Sequence, residues 1–141
     1  MKDLSNNSFS CWNNIDYLRL IDEVIIPFNN DNKTINYSHF NSDVNARSEL
    51  IAVKNIDYLI IEGVGLFRPK IMKYLTFTIW IECPLQTAIS RGKHRDRFVH
   101  HNPKDQLWDG VWKNNDQEFY QKFSPHNNVS FIFNNSSQAT I

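Results

Sequence analysis

Two runs, Asp57-Tyr58-Leu59-Ile60-Ile61-Glu62-Gly63 and Leu75-Thr76-Phe77-Thr78-Ile79-Trp80-Ile81, constrain this chain more than any other part of it. Both are apolar on both faces when written as strands. Such strands belong to parallel sheets covered by helices on each side, so the runs predict buried parallel strands. The first run ends in an acid, and a basic cluster follows further along, Arg91-Gly92-Lys93-His94-Arg95-Asp96.

A carboxylate at the C-terminal tip of a parallel strand faces the crevice in which open α/β sheets bind ligands. Glu62 either holds a Mg²⁺ water or orients a substrate hydroxyl, with Gly63 letting the backbone turn beneath it, or it marks a solvated strand end. Arg91 and Arg95 stand one helical turn apart on one face, so two guanidiniums can grip one polyphosphate. Arg97 and Lys93 add further cations. The alternative is an exposed basic helix end that complements its own dipole, with Asp96 as a local ion-pair partner. Taken together, the acid and the arginines point to phosphate chemistry. The loop such chemistry depends on does not occur. The sequence has no Gly-x-x-x-x-Gly-Lys-Ser/Thr, and Gly63, Gly65, Gly92 and Gly110 make no other glycine-rich cradle.

The remaining elements follow from periodicity. Ile15, Leu18, Ile21, Val24, Ile25 and Phe28 predict a helix that Pro27 closes. Thr34 to Phe40 reads as a short extended segment, and Val44 to Val53 as another helix. Pro84 suits the first turn of a helix running to about Phe98. A longer helix is expected after Asn102-Pro103, with Trp108, Val111, Trp112, Phe119 and Phe123 on one stripe and Ser124-Pro125 as its stop. Those aromatics read as core packing, an adenine pocket being the alternative. Val129 to Phe133 makes a last strand. The alternation from Asp57 onward predicts a single α/β domain spanning residues 1–141, with right-handed crossovers.

At 141 residues the chain has the length of one domain with one core. Lys plus Arg equals Asp plus Glu, 15 each, so no overall field attracts nucleic acid, and an anion site must be made locally. The stretch Met1 to Asn7 has no apolar core, and no apolar run approaches the roughly 20 residues of a membrane span. A cytoplasmic protein is expected, with neither nucleic acid nor membrane as partner. Cys11 and Cys83 are expected as reduced thiols. His39, His94, His100, His101 and His126 lie in no ligand spacing, so no structural metal is expected.

The order of motifs resembles the uridine kinase-like branch of P-loop kinases. Four stretches carry the likeness: Trp12 through Pro27, Tyr37 to Phe40, Tyr58 to Val64, and Thr78 to Pro84 leading to Arg91-x-x-x-Arg95-Asp96. The resemblance implies a three-layer parallel-sheet P-loop-type kinase fold, incomplete at its N-terminus. It implies an ATP- and Mg²⁺-dependent phosphotransferase acting on a small hydroxyl substrate such as a nucleoside. Glu62 then looks like the acid that holds Mg²⁺ through water. Arg91 and Arg95 look like lid arginines over the ATP phosphates, with Arg97 beside them, and Tyr37 and His39 fall near the acceptor. Asp16 matches a structural acid. The family's first strand, phosphate loop and catalytic aspartate have no counterpart here, and Asp3 is not assigned as that base.

In the family the first strand lies between the strands ending in Glu62 and Cys83. Without it, uncovered edges are expected to pair with each other or with another polypeptide, a homo-oligomer included. Losing one preorganised donor costs about a hundredfold in rate, so turnover by this chain alone is not expected. Two further readings are a non-catalytic α/β binding or interaction module, or degenerate kinase remnant, and a small anion-binding protein that uses only the arginines.

Overall fold

The computed structural model describes residues 7–31, 34–41 and 45–136, with side chains from Ser10 onward. Asp3, the start of the Val44 to Val53 segment and the end of the polar tail lie outside these residues. The fold is mixed α/β with small sheets. It divides into two compact units, one formed by the residues up to Asn14 together with those from Leu75 on, the other by Ile15–Tyr74. Among the described residues, no helix is long and apolar enough to cross a membrane.

In the Ile15–Tyr74 unit the first helical stretch runs as α1 (Tyr17–Leu20), a π-turn (Ile21–Ile25) and α2 (Ile26–Asn29). Asp16 caps it, its carboxylate accepting from the Arg19 N–H at 3.1 Å, which is the structural use expected of that acid. Pro27 does not close the helix as its sequence position suggests. The Ile26 N–H reaches back to the Ile21 carbonyl, one residue further than in an α-helix. The widened turn accommodates a ring that would otherwise press on the carbonyl four residues back, and the helix continues to Asn29.

Strand β1 (Thr34–Tyr37) follows, then the two-residue pair β2 (Phe40–Asn41) and β3 (Ala46–Arg47), then β4 (Ile51–Lys54). β1 pairs antiparallel with β4, Tyr37 opposite Ile51, and β2 pairs with β3. Where the helix over Val44 to Val53 is expected, the described residues from Asn45 on instead form β3 and the start of β4, joined by residues 48–50, which are neither helix nor strand. The core of this unit is Tyr17, Ile21, Ile25, Ile35, Leu66 and Ile71, the last in the short helix α3 (Pro69–Met72).

The second unit holds β5 (Ile79–Glu82), α4 (Leu85–Phe98), α5 (Asp105–Asp109), α6 (Val111–Phe123), a 3₁₀ turn (Pro125–Asn128) and β6 (Phe131–Asn134). β5 and β6 are parallel, Ile79 opposite Phe131 and Ile81 opposite Phe133. Thr78 and Ser130 start the pair by exchanging bonds, each backbone N–H donating to the other's hydroxyl at 3.1 and 3.0 Å. The Asn135 N–H closes it on the Glu82 carbonyl at 2.8 Å.

The single helix expected after Pro103 is two, broken at Gly110, whose φ of −109° and ψ of −109° are not helical. A side chain there would meet the Gln106 carbonyl at 2.9 Å. α6 ends where expected, at Ser124 in the left-handed region (φ 41°) before Pro125. The 3₁₀ turn Asn7–Trp12 packs on α6. There the Trp12 backbone N–H donates to Asn115 Oδ1 at 3.0 Å, and its indole N–H donates to Asp116 Oδ1 at 2.9 Å.

Candidate functional site

The apolar run that ends in Glu62 is not a strand. Residues 57–63 have no ladder partner among the described residues, and Tyr58 and Ile60 are 86% and 90% exposed. Glu62 is itself exposed. What fixes its position is the turn behind it. Gly65 takes a φ of 67° that favours glycine, the Tyr17 hydroxyl donates to the Val64 carbonyl at 3.1 Å, and Arg68 Nε donates to the Gly65 carbonyl at 2.7 Å. The Arg68 guanidinium also lies over the Tyr17 ring, 3.9 Å from its centre. Burial of this phenol pushes its pKa above the ordinary tyrosine value, against the pull of Arg68. Asp57 and Tyr58 line an open cavity of about 430 Å³ with Phe28, Asp31 and Ile56. Its two carboxylates suit a cation better than a phosphate.

Tyr37 ends β1 half-buried, and His39 is exposed beyond it. The His39 backbone N–H donates to Ser48 Oγ at 3.1 Å, and its carbonyl accepts from the Ser48 N–H at 2.9 Å. From the other side Arg19 donates to the Ser38 carbonyl and hydroxyl while forking onto Glu23 at 2.8 and 3.1 Å. That fork holds the Glu23 carboxyl below its usual range. The Tyr37–His39 segment is thus held mainly by its backbone.

The arginines belong to the other unit, on α4. Arg91 Nη1 donates to the Asn135 carbonyl at 3.0 Å, just past the end of β6, and to Cys83 Sγ at 3.8 Å, just past the end of β5. Its guanidinium therefore stands at the carboxyl ends of both parallel strands, the position at which open α/β sheets take ligands. Arg95, one turn on, is more than half exposed and donates through Nε and Nη2 to Asp96 Oδ1 at 3.2 and 3.0 Å. Arg97 lies two residues beyond Arg95, on another side of the helix, and forks onto Asp105 at 3.0 and 3.1 Å. Lys93 pairs with Asp109. Each of these cations has a local partner. Arg91 alone joins both strand ends.

Sequence reasoning passed over Glu82. It is the acid that ends an observed parallel strand, half-buried, with Oε2 accepting from the Trp80 indole N–H at 2.8 Å. The signal was present, an acid closing an apolar run directly before Cys83-Pro84 and a helix. Around it, Trp80 meets Tyr120 with ring centres 6.1 Å apart, and Tyr120 stacks on His126 at 5.0 Å and 11°.

Among the described residues, no three His, Cys, Asp or Glu side chains gather as a metal cage. Mg²⁺ does not require one, since it binds through one or two carboxylates together with substrate phosphates and water. A single acid such as Glu62 or Glu82 fits that role. Arginine presents a planar fork of donors that matches phosphate oxygens, and a thiol sulfur is a weak acceptor that a phosphate oxygen can replace. No protein-family model matches the chain, and no curated protein matches it.

Proposed function

We propose that this chain is an anion-binding α/β module that takes the phosphates of a nucleotide-like ligand at the carboxyl ends of β5 and β6, with Arg91 as the central cation and Arg95 as the second. One observation carries the reading: the Arg91 guanidinium bridges the Asn135 carbonyl and Cys83 Sγ, so a cation is held where the two parallel strands end. The motif order further supports descent from a uridine kinase-like phosphotransferase of three-layer P-loop type. In that reading ATP and Mg²⁺ are the ligands and Glu82 is the Mg²⁺-side carboxylate in the unit that holds Arg91, while the roles the resemblance gives to Glu62, Tyr37 and His39 concern the Ile15–Tyr74 unit by itself.

Phosphoryl transfer depends almost wholly on positioning and charge stabilisation. Without a phosphate loop this chain alone is a binding module and not a working kinase.

Thermal unfolding with pyrophosphate and with Mg-ATP tests the reading, sodium chloride at equal ionic strength serving as control. Ligand at a hundred times its dissociation constant adds about 2.7 kcal/mol, which moves Tm by on the order of 5–10 °C in a chain of this size. Arg91→Gln should abolish that shift and Arg95→Gln should reduce it. No shift at millimolar ligand, or an equal shift in Arg91→Gln, would overturn the reading.

A further inference from the structure

Parallel strands are ordinarily covered on both faces because the crossover lays helices against them. In the β5–β6 pair one face is covered only in part, at Trp80, for Ile132 beside it remains 48% exposed. Trp80 and Ile132 lie side by side, and Trp80 meets Tyr120 of α6. On the opposite face the register places Ile79 beside Phe131 and Ile81 beside Phe133. These four side chains remain between 49% and 59% exposed, and Phe77, two residues ahead of Ile79, is 64% exposed. None of the paired strand positions on this face is charged, since Glu82 falls on the Trp80 side.

We propose that this face is the self-association surface of the protein, and that its occupant is the same face of a second copy related by a two-fold axis. Area supports that occupant. With roughly 200 Å² for each phenylalanine and somewhat less for each isoleucine, the exposed parts come to on the order of 500 Å² per copy. Two such faces approach the ~1,000 Å² that separates a specific interface from an incidental contact, and polar rim residues add to it. Charge agrees with area. Lys plus Arg and Asp plus Glu are 15 each, so like copies do not repel, and a row of Ile and Phe is its own best complement under an isologous two-fold. This surface is distinct from the strand edges, where association would extend the hydrogen-bonded ladder instead.

Sedimentation velocity over a concentration series reads the association in the full chain. The wild type should form a dimer. The exposed-position variant Ile81→Lys/Phe133→Lys should raise the dimer dissociation constant by at least about a hundredfold while keeping its far-UV circular dichroism. Phe77→Lys, which lies ahead of the strand and places little demand on folding, should weaken the dimer in the same direction. Ile132→Lys, on the other face, should leave it intact. A wild type that stays monomeric, a dimer that survives both face variants, or equal dissociation by a folded Ile132→Lys would overturn the proposal.

Discussion

Asp96 and Asp116 are two carboxylates in one unit whose environments push them in opposite directions. Asp96 is buried on α4 and accepts from the Trp108 indole N–H at 2.7 Å. That bond first, and then the bond and charge of Arg95, hold its carboxyl below the usual range in spite of burial. A lowered folded value means stability that is present above the unfolded value near 3.9 and is lost as pH falls through the folded one. Asp96→Asn should therefore cost about 1.5–3 kcal/mol at neutral pH and flatten the acid limb below about pH 4, as read by urea unfolding at pH 7 and pH 3. Asp116 is raised by burial, and the Trp12 indole N–H offsets this only in part. Its charge weakens the fold at neutral pH, because a raised value contributes stability at low pH that is lost as pH rises through it. Asp116→Asn keeps an acceptor for Trp12 and should raise stability at pH 7, opposite in sign to Asp96→Asn. A common sign for the two would contradict these assignments.

At the scale of elements, the contact of α4 with α5 is set by Gly92. A Cβ added there would meet Trp108 Cζ2 at 2.3 Å, and Trp108 is held by Asp96. Overpacking costs about 1–3 kcal/mol, against about 1 kcal/mol that alanine gains over glycine inside a helix, so Gly92→Ala should lower Tm instead of raising it. A higher Tm would show that the indole moves aside. The same unit shows which elements could be read in advance. α4, the end of α6 and β6 are legible because Pro84, helical periodicity and Ser124-Pro125 act within a few residues of the structure they specify, whereas the buried strand expected over Leu75 to Ile81 is corrected to β5, which starts at Ile79 and leaves Ile79 and Ile81 exposed. The break at Gly110 was hidden because Trp108 and Trp112 keep helical spacing across it. β4 was misread as helix because its identity depends on β1, a partner distant in sequence, and apolar spacing alone does not reveal a partner. Leu59 to Ile61 failed for the same reason in reverse, a strand-like run with no ladder partner among the described residues. Glu82, by contrast, ends a strand that does pair.

For the whole molecule, balanced charge leaves recognition to local groups, and the proposed phosphate site lies within the unit that contains β5, α4 and β6. Glu62, Tyr37 and His39 belong to the Ile15–Tyr74 unit, so their engagement by a ligand would be read separately, as shifts within that unit. The most direct measurement is residue-resolved amide chemical-shift mapping of the full chain titrated with Mg-ATP and, separately, with pyrophosphate. Saturable shifts centred on Glu82, Cys83, Arg91 and Asn135 are expected with both ligands and should be lost in Arg91→Gln. Shifts confined to residues 57–62, or none at millimolar ligand, would contradict the proposed phosphate site.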